Sequence, residues 1–253
     1  MGTYSSATRQ GTFEPFELQV SRGQVDGHTS IEIFGYTPNI ANTAQGPMWE
    51  GQTQSGGLYV YPSVAAPLVL VSDSATDNTT RSVVIDGLGA DFVPLTETIA
   101  LNGTTSVTTT NSFLRINGMS MLNSTNTGNI TASISSTVYA KINAGIGQTQ
   151  MSIYTVPAGY TFYLSYTQYD AAIGFTSSAY MIGQEYNKFN SGANNGLITV
   201  THQTVFVQKQ ETLFTAPILH PEKTDLQFCV KSSSGGPLTC SMYAGGILIK
   251  NSD

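Results

Sequence analysis

Hydrophobic and polar residues alternate along most of this 253-residue chain with the two-residue period of a β-strand. A clear example is the segment 160–167, where large side chains at even positions are interleaved with mostly polar ones. Glycine, proline and threonine interrupt every stretch that could sustain the 3.6-residue period of a long helix. The pattern therefore predicts an all-β protein with few and short helices.

The predicted strands fall into two groups, each long enough to build an antiparallel β-sandwich. Residues 58–144 form the first group, in which Asn102-Gly103 is a typical two-residue hairpin turn. Residues 145–253 form the second group and are expected to fold as a jelly-roll-like sandwich. The glycine-rich junction at 143–147 is short, so the two sandwiches should lie against each other.

Residues 1–57 differ from both groups and are predicted to form an extended N-terminal arm. Gly23, Gly27 and Gly35 separate short alternating segments that cannot bury both faces by themselves. Such an arm must lie on its own sandwich or on another subunit, and we expect it to anchor the protein to a neighbour. The predicted anchor consists of apolar and aromatic side chains at strand spacing: Phe13, Phe16, Leu18, Val20, Ile31, Ile33, Phe34, Tyr36 and Trp49.

The charge of the chain argues against a nucleic-acid partner, and its hydropathy argues against a membrane-spanning segment. Ten Lys and Arg against sixteen Asp and Glu give a net charge of −6 with no basic stripe, so no nucleic acid is expected as the main partner. The longest apolar run, residues 64–71, contains Pro67 and is too short to span a membrane. Without an N-terminal apolar segment, synthesis in a cytoplasm is expected, with Cys229 and Cys240 as reduced thiols or, as the alternative, paired across a hairpin.

Candidate chemistry is sparse, and the sequence predicts no enzyme, no cofactor and no metal site. The three histidines, His28, His202 and His220, are isolated from one another, and no nucleophile-elbow motif is present. The oxygen-rich segment 72–80 suits Asx turns, with a Ca²⁺ loop as the alternative. A tyrosine cluster at 154–169 suits packing, with sugar stacking as the alternative.

Several stretches resemble a group of virion proteins of tailed bacteriophages that are common among aquatic phages. The resemblance covers most of the chain, is weakest between residues 170 and 193, and includes 27–29, 33–36, 49–50 and 113–117. It is carried chiefly by PFELQVSRG at 15–23, TETIALNGTT at 96–105, GIGQTQMSIYTVPAGYTFY at 145–163 and the closing GILI at 246–249. These matches imply a structural component of the particle and assign no functional residue.

The resemblance and the composition together lead us to expect a capsid decoration (cement) protein that stabilises the phage head. Its partners would be the major capsid protein or other virion proteins, and a homotrimer is the expected state. The protein would reside in the virion after assembly in the host cytoplasm. Two alternatives stay open: an adaptor at the neck, tail or baseplate, and a virion protein that binds a host glycan through the loops at 72–80 or 175–195.

Overall fold

Strands account for nearly all regular structure in the computed structural model, which describes residues 14–38, 40–52, 55–172, 180–233 and 239–252. The prediction of an all-β fold is confirmed, and every strand pairing is antiparallel. One helix, α1, spans Phe16–Ser21. The strands are β1 His28–Thr37, β2 Gly46–Pro47, β3 Ala66–Ser72, β4 Ser82–Leu88, β5 Pro94–Ala100, β6 Val107–Phe113, β7 Arg115–Leu122, β8 Ile130–Ile134, β9 Thr137–Ile142, β10 Ile153–Thr155, β11 Tyr160–Ala171, β12 Met181–Phe189, β13 Ile198–Phe206, β14 Lys209–His220, β15 Thr224–Ser232 and β16 Cys240–Lys250. Short 3-10 turns lie at Ala90–Phe92 and Gly192–Asn194.

The first sandwich is built from strands β3 to β9. One sheet has the order β6-β3-β8-β9 and the other β5-β4-β7. Alternate side chains of both sheets point inward, as the sequence period requires, and meet in one apolar core. Its fully buried members include Leu68, Leu70, Ile85, Phe113 and Ile130.

The second sandwich places the order β1-β16-β11-β14 against β10-β15-β12-β13, with β2 paired to β15. Phe162 and Leu164 from the first of these sheets pack with Phe228 from the second in a separate core. A bulge between Leu164 and Tyr166 shifts the register of β11 against both of its neighbours. Cys229 and Cys240 lie in opposite sheets, and both are free and buried.

The beginning of the N-terminal segment is a helix, so the predicted strand alternation at 16–20 is wrong. Pro15 stands at the N-cap, and its carbonyl accepts the amide hydrogens of Leu18 and Gln19. Gly23 ends the helix with a left-handed φ of 67° and donates its amide hydrogen to the carbonyl of Val20. A proline before the first turn and a glycine after the last are typical of helix ends, and they outweigh the strand-like alternation at 16–20.

Strands β1 and β2 of the predicted arm are integrated into the second sandwich, whereas Trp49 packs in the core of the first. Strand β1 pairs with β16 along ten residues, from His28 opposite Ile249 to Thr37 opposite Cys240. The inward side chains of β1, Ile33 among them, complete the core that β16 would otherwise leave open. Of the two places expected for this segment, its own sandwich or another subunit, residues 28–37 take the first, as an edge strand of the chain's own sheet.

Candidate functional site

The two sandwiches are joined by a buried ion pair between Arg115, at the start of β7, and Asp225, in β15. Arg115 Nε lies 2.7 Å from Asp225 Oδ1 and Nη2 lies 2.9 Å from Oδ2, which is the bidentate arrangement that suits a guanidinium and a carboxylate. Both side chains are almost completely buried. The pair therefore fixes the first sandwich to the second at a point shielded from water.

Other groups around this ion pair satisfy its remaining hydrogen-bonding capacity. Thr155 Oγ1 and Asn190 Nδ2 donate to the two oxygens of Asp225 at 2.7 and 2.8 Å. Arg115 Nη1 donates to the carbonyl of Pro62 at 2.9 Å, and the guanidinium carbon lies 4.6 Å from the ring centre of Tyr61. A fully hydrogen-bonded network of this kind specifies one relative placement of the two bodies.

Backbone contacts extend the junction on both sides of the ion pair. The amide group of Gln227 exchanges two hydrogen bonds with the backbone of Tyr59, at 2.8 and 3.0 Å. The side chain of Asn117 in turn brackets Thr155, accepting from its N–H at 2.9 Å and donating to its carbonyl at 3.1 Å. The two sandwiches therefore meet through matched polar groups, and the protein presents a single body to a partner.

The structure distributes the predicted anchor residues over several environments and brings them to no common surface. Phe13 lies outside the described residues. Three members are buried inside the chain, and three are half-buried along β1. The buried ones are Val20, Ile33 and Trp49; the half-buried ones are Ile31, Phe34 and Tyr36; Phe16 and Leu18 are exposed. Among the described members, only Phe16 and Leu18 are exposed enough to contact a neighbour extensively, and the anchor role stays a prediction.

Two titratable groups that are distant in the sequence meet inside the second sandwich. His220 Nε2, at the end of β14, lies 3.1 Å from Glu185 Oε1, in β12, and both side chains are fully buried. Burial raises the pKa of Glu185 to about 7, and the neighbouring polar side chains of Asn187 and Thr201 lower it by less. Burial also lowers the pKa of His220 to about 4. The pair is therefore uncharged near pH 6, and it lies too deep for a substrate to reach.

Replacing Glu185 with glutamine should stabilise the protein above pH 7. A carboxyl whose pKa is raised on folding from 4.5 to about 7 contributes stability below pH 4.5, which is lost as the pH rises to 7. Glutamine does not ionise, so the variant loses no stability as the pH rises. Its free energy of unfolding at pH 8 should therefore exceed that of the wild type by up to about 3 kcal/mol. Urea unfolding at pH 5 and pH 8 measures the difference. Glu17→Gln on exposed α1 is the control, and an equal gain there would contradict this explanation.

The carboxylates of Asp73 and Asp77, both in the 72–80 loop, accept hydrogen bonds from other groups of the protein. Asp77 accepts hydrogen bonds from Ser72 Oγ at 2.6 Å and from the backbone N–H groups of Thr127 and Gly128 at 2.8 and 2.9 Å, and it pairs with Arg81. Asp73 accepts two hydrogen bonds from Asn129. These contacts attach the loop to the segment 127–129. Because they use the carboxylate oxygens that a calcium ion would need, they favour the turn interpretation over a calcium loop.

The tyrosine cluster divides between the core and the outer face of the β1-β16-β11-β14 sheet. Tyr154 and Tyr169 are buried, in agreement with packing. Tyr166 is half-buried on the outer face, where its ring stacks on Tyr243 with centroids 6.2 Å apart. Tyr243 also donates a hydrogen bond to Glu32 at 2.6 Å.

The largest concentration of exposed apolar side chains lies on and around strands β13 and β14. Seven of the seventeen exposed large hydrophobic residues in the described part of the chain fall between 197 and 219. We call one group of them the β13 face, defined by Ile198, Val200 and Val205 on β13 and by their neighbours Ile182 and Tyr186 on β12. Strand alternation in the sequence predicted β13 without revealing that its apolar side chains point outward.

The β13 face continues a surface that the first sandwich already covers. Gln227 of β15 lies beside Tyr186, and Tyr186 lies beside Val200. Gln227 is buried against Tyr59, whereas Val200 is 45% exposed. One face of this sheet therefore passes from a closed junction to an open apolar edge, and Lys188 is the single charge along the open registers. Between the apolar pairs of this face lies one neutral polar pair, Gln184 and Gln203, which hydrogen-bond to each other at 2.7 Å. Depletion of charge is typical of the centre of a protein interface.

Comparison with known proteins yields weak similarities. No family model matches this chain, and no curated protein matches it. Among solved structures, that of the Gt strain of infectious bursal disease virus is 11% identical, with 94% of this chain and 78% of that chain covered, at a TM-score of 0.22. The VP2 subviral particle of the same virus is 11% identical over 90% and 77% of the two chains, at a TM-score of 0.17. TM-scores this low do not establish a common fold.

Among the described residues, no helix has the length and the apolar character needed to cross a lipid bilayer.

Proposed function

We propose that this protein is a non-enzymatic structural component of a virus particle, and that it decorates and stabilises the capsid. The observation that carries the proposal is the β13 face, an apolar and nearly uncharged surface on a body made rigid by the Arg115–Asp225 junction. The sequence resemblance to virion proteins of tailed bacteriophages supports the same role. The partner proposed for this face is the major capsid protein.

The surface chemistry suits repeated assembly. With 10% charged residues in the whole chain, copies arranged side by side repel one another little. Burial of Ile198, Val200 and Val205 against a shell protein would add apolar area at the centre of a contact, where interface energies are concentrated. The buried Arg115–Asp225 network holds the two sandwiches together, which supports a structural role over a catalytic one. A location in the virion is part of the proposal, whereas for the association between copies the free edge of β14 favours a dimer over the homotrimer expected from the sequence.

Quantitative mass spectrometry of purified particles tests the role through the copy number relative to the major capsid protein. Three versions of the full chain should be compared: wild type, Val200→Asp on the β13 face, and Val64→Asp on the loop before β3, where the side chain is more exposed than Val200 (69% against 45%). We expect the wild type and Val64→Asp at a copy number comparable with that of the major capsid protein. Val200→Asp should be depleted about tenfold or more, because a buried carboxylate without a partner weakens an interface.

Other outcomes assign the protein elsewhere. A much lower copy number for the wild type would contradict decoration and place the protein at the neck, tail or baseplate. Complete absence from particles would refute a structural role in the virion. Equal incorporation of Val200→Asp and Val64→Asp would show that the β13 face does not contact the shell.

A further inference from the structure

Strand β14 has an unpaired edge next to a regular pattern of side chains. It is the last strand of its sheet and pairs with β11, and with no other strand among the described residues. Pro217 lacks the amide hydrogen that a further ladder would need, and this limits new pairing to the part of β14 before it. The ladder with β11 is regular from Lys209 to Leu213 and resumes at Ile218, so the free edge from residue 209 to residue 213 is the part able to accept another strand.

The outward-facing side chains along this edge form a short symmetric pattern. Lys209, Glu211 and Leu213 on β14 alternate with half-buried polar residues, and all three are exposed, as is Val207 in the bend just before the strand. Val207 is 54% exposed and Leu213 is 72% exposed. Within the described chain, neither Lys209 nor Glu211 forms an ion pair. The pattern runs apolar, positive, negative, apolar, with Gln210 at its centre.

This pattern is complementary to itself when reversed. In an antiparallel pair of β14 strands centred on Gln210, Lys209 lies opposite the partner's Glu211, and Val207 lies opposite the partner's Leu213, each contact occurring twice. Moving the centre of the pair by one residue, to 209 or to 211, keeps the same side chains on the same face of the sheet. These two registers would place Lys209 opposite the partner's Lys209, or Glu211 opposite the partner's Glu211. Opposite charges in facing positions stabilise a strand pair and like charges destabilise it, so a single register is selected.

We propose that two copies of this chain associate through antiparallel pairing of their β14 edges, with a two-fold axis at Gln210. The pairing joins two four-stranded sheets into one continuous sheet across the axis. It also covers Leu213 and removes the unpaired backbone groups of an exposed edge. The inference goes beyond the proposed virion role, because the contact is between copies of this chain and can be measured without a particle.

Charge reversal tests the register directly. Sedimentation velocity at several micromolar concentrations should show a dimer for the wild type. Lys209→Glu or Glu211→Lys alone places like charges in both symmetric contacts and should raise the dissociation constant of the dimer roughly tenfold or more. The double variant K209E/E211K exchanges the charges and should restore the affinity. A monomeric wild type, or a double variant as weak as either single one, would overturn the proposal.

The intrachain neighbour of Lys209 requires a control. Asp170 on β11 lies directly opposite Lys209 on β14. Lys209→Glu therefore also introduces a charge repulsion within the monomer, and the double variant retains this repulsion. Thermal unfolding of each variant separates this intrachain effect from the loss of association. Recovery of dimerisation in the double variant despite the retained repulsion would support the intermolecular pair.

Cross-linking provides a test that leaves the charges unchanged. Gln210→Cys places two sulfurs in directly opposed positions, at a backbone separation that a disulfide can bridge, whereas Thr215→Cys on the same strand is displaced far along the partner. Mild oxidation should link Gln210→Cys into covalent dimers and leave Thr215→Cys monomeric; the native Cys229 and Cys240 are buried and do not compete. Equal linkage at both positions would overturn the register. The copy number in particles is a separate measurement, so failure here leaves the virion role to its own test.

Discussion

Replacing Arg115 with methionine should lower the free energy of unfolding by about 3–5 kcal/mol, because Asp225 is then buried without a counter-charge. Methionine keeps the apolar stem beside Tyr61 and removes the guanidinium. Thr155 and Asn190 still donate hydrogen bonds to Asp225, but two neutral donors do not replace a charged partner. Urea unfolding, followed by tryptophan fluorescence and circular dichroism, measures the loss.

A double-variant cycle separates the interaction from the cost of exposing one partner. Asp225→Asn should also be strongly destabilising, since it leaves Arg115 as the unpaired charge. In Arg115→Met/Asp225→Asn neither charge remains, and the total loss should be smaller than the sum of the single losses by roughly 1–3 kcal/mol. Strictly additive losses would mean that the two side chains do not act as a pair. Separate fluorescence and dichroism transitions in the single variants would show that the junction couples the unfolding of the two sandwiches.

Trp49→Ala should also destabilise the isolated protein, by about 3–5 kcal/mol, because it removes a large side chain from a closed core. The Trp49 ring lies against Gly51 and meets Tyr59 edge to face, with ring centroids 5.4 Å apart. Little of this volume can be refilled, since the surrounding residues belong to the first core and to the junction. Calorimetry of the purified chain gives the change in unfolding temperature.

Phe16→Ala is the matched comparison for this experiment. Phe16 comes from the same predicted anchor but is 43% exposed on α1, so its removal should cost less than about 1 kcal/mol. The sequence-based anchor hypothesis makes the opposite prediction, in which both variants keep the stability of the monomer and lose assembly. A stable Trp49→Ala protein that fails to enter particles would therefore restore that hypothesis.

Strand positions could be predicted because they depend on local alternation, whereas strand partners depend on the whole chain. Asn102-Gly103 shows the difference. The pair has the composition of a hairpin turn, and Gly103 has the expected positive φ of 60°. Yet β5, before it, pairs with β4, and β6, after it, pairs with β3 in the other sheet. The turn is a corner between two sheets, and Gly103 N donates to the carbonyl of Asp77, which the local sequence does not indicate.

The ion pair at the junction could not have been found from the sequence. Arg115 lies within a stretch that marks the family resemblance, but no spacing rule connects it with Asp225, which is 110 positions away. The same holds for β1, whose partner β16 is the last strand of the chain. The sequence indicated correctly that this apolar segment needs a partner to bury it. That partner is a strand of the same chain that lies far away in the sequence.

The pairing of β1 with β16 also sets an order of events during synthesis. Strands β3 to β9 find all their partners within residues 66–142, so the first sandwich can form while the ribosome is still elongating the chain. Strand β1 has no such option, because β16 is translated after every other described strand. Until then the nascent protein carries an unpaired N-terminal strand and an unpaired flank of β11. Chaperone binding and premature aggregation are therefore expected to concentrate on the second sandwich, and chains that end before residue 240 should be the species most exposed to both.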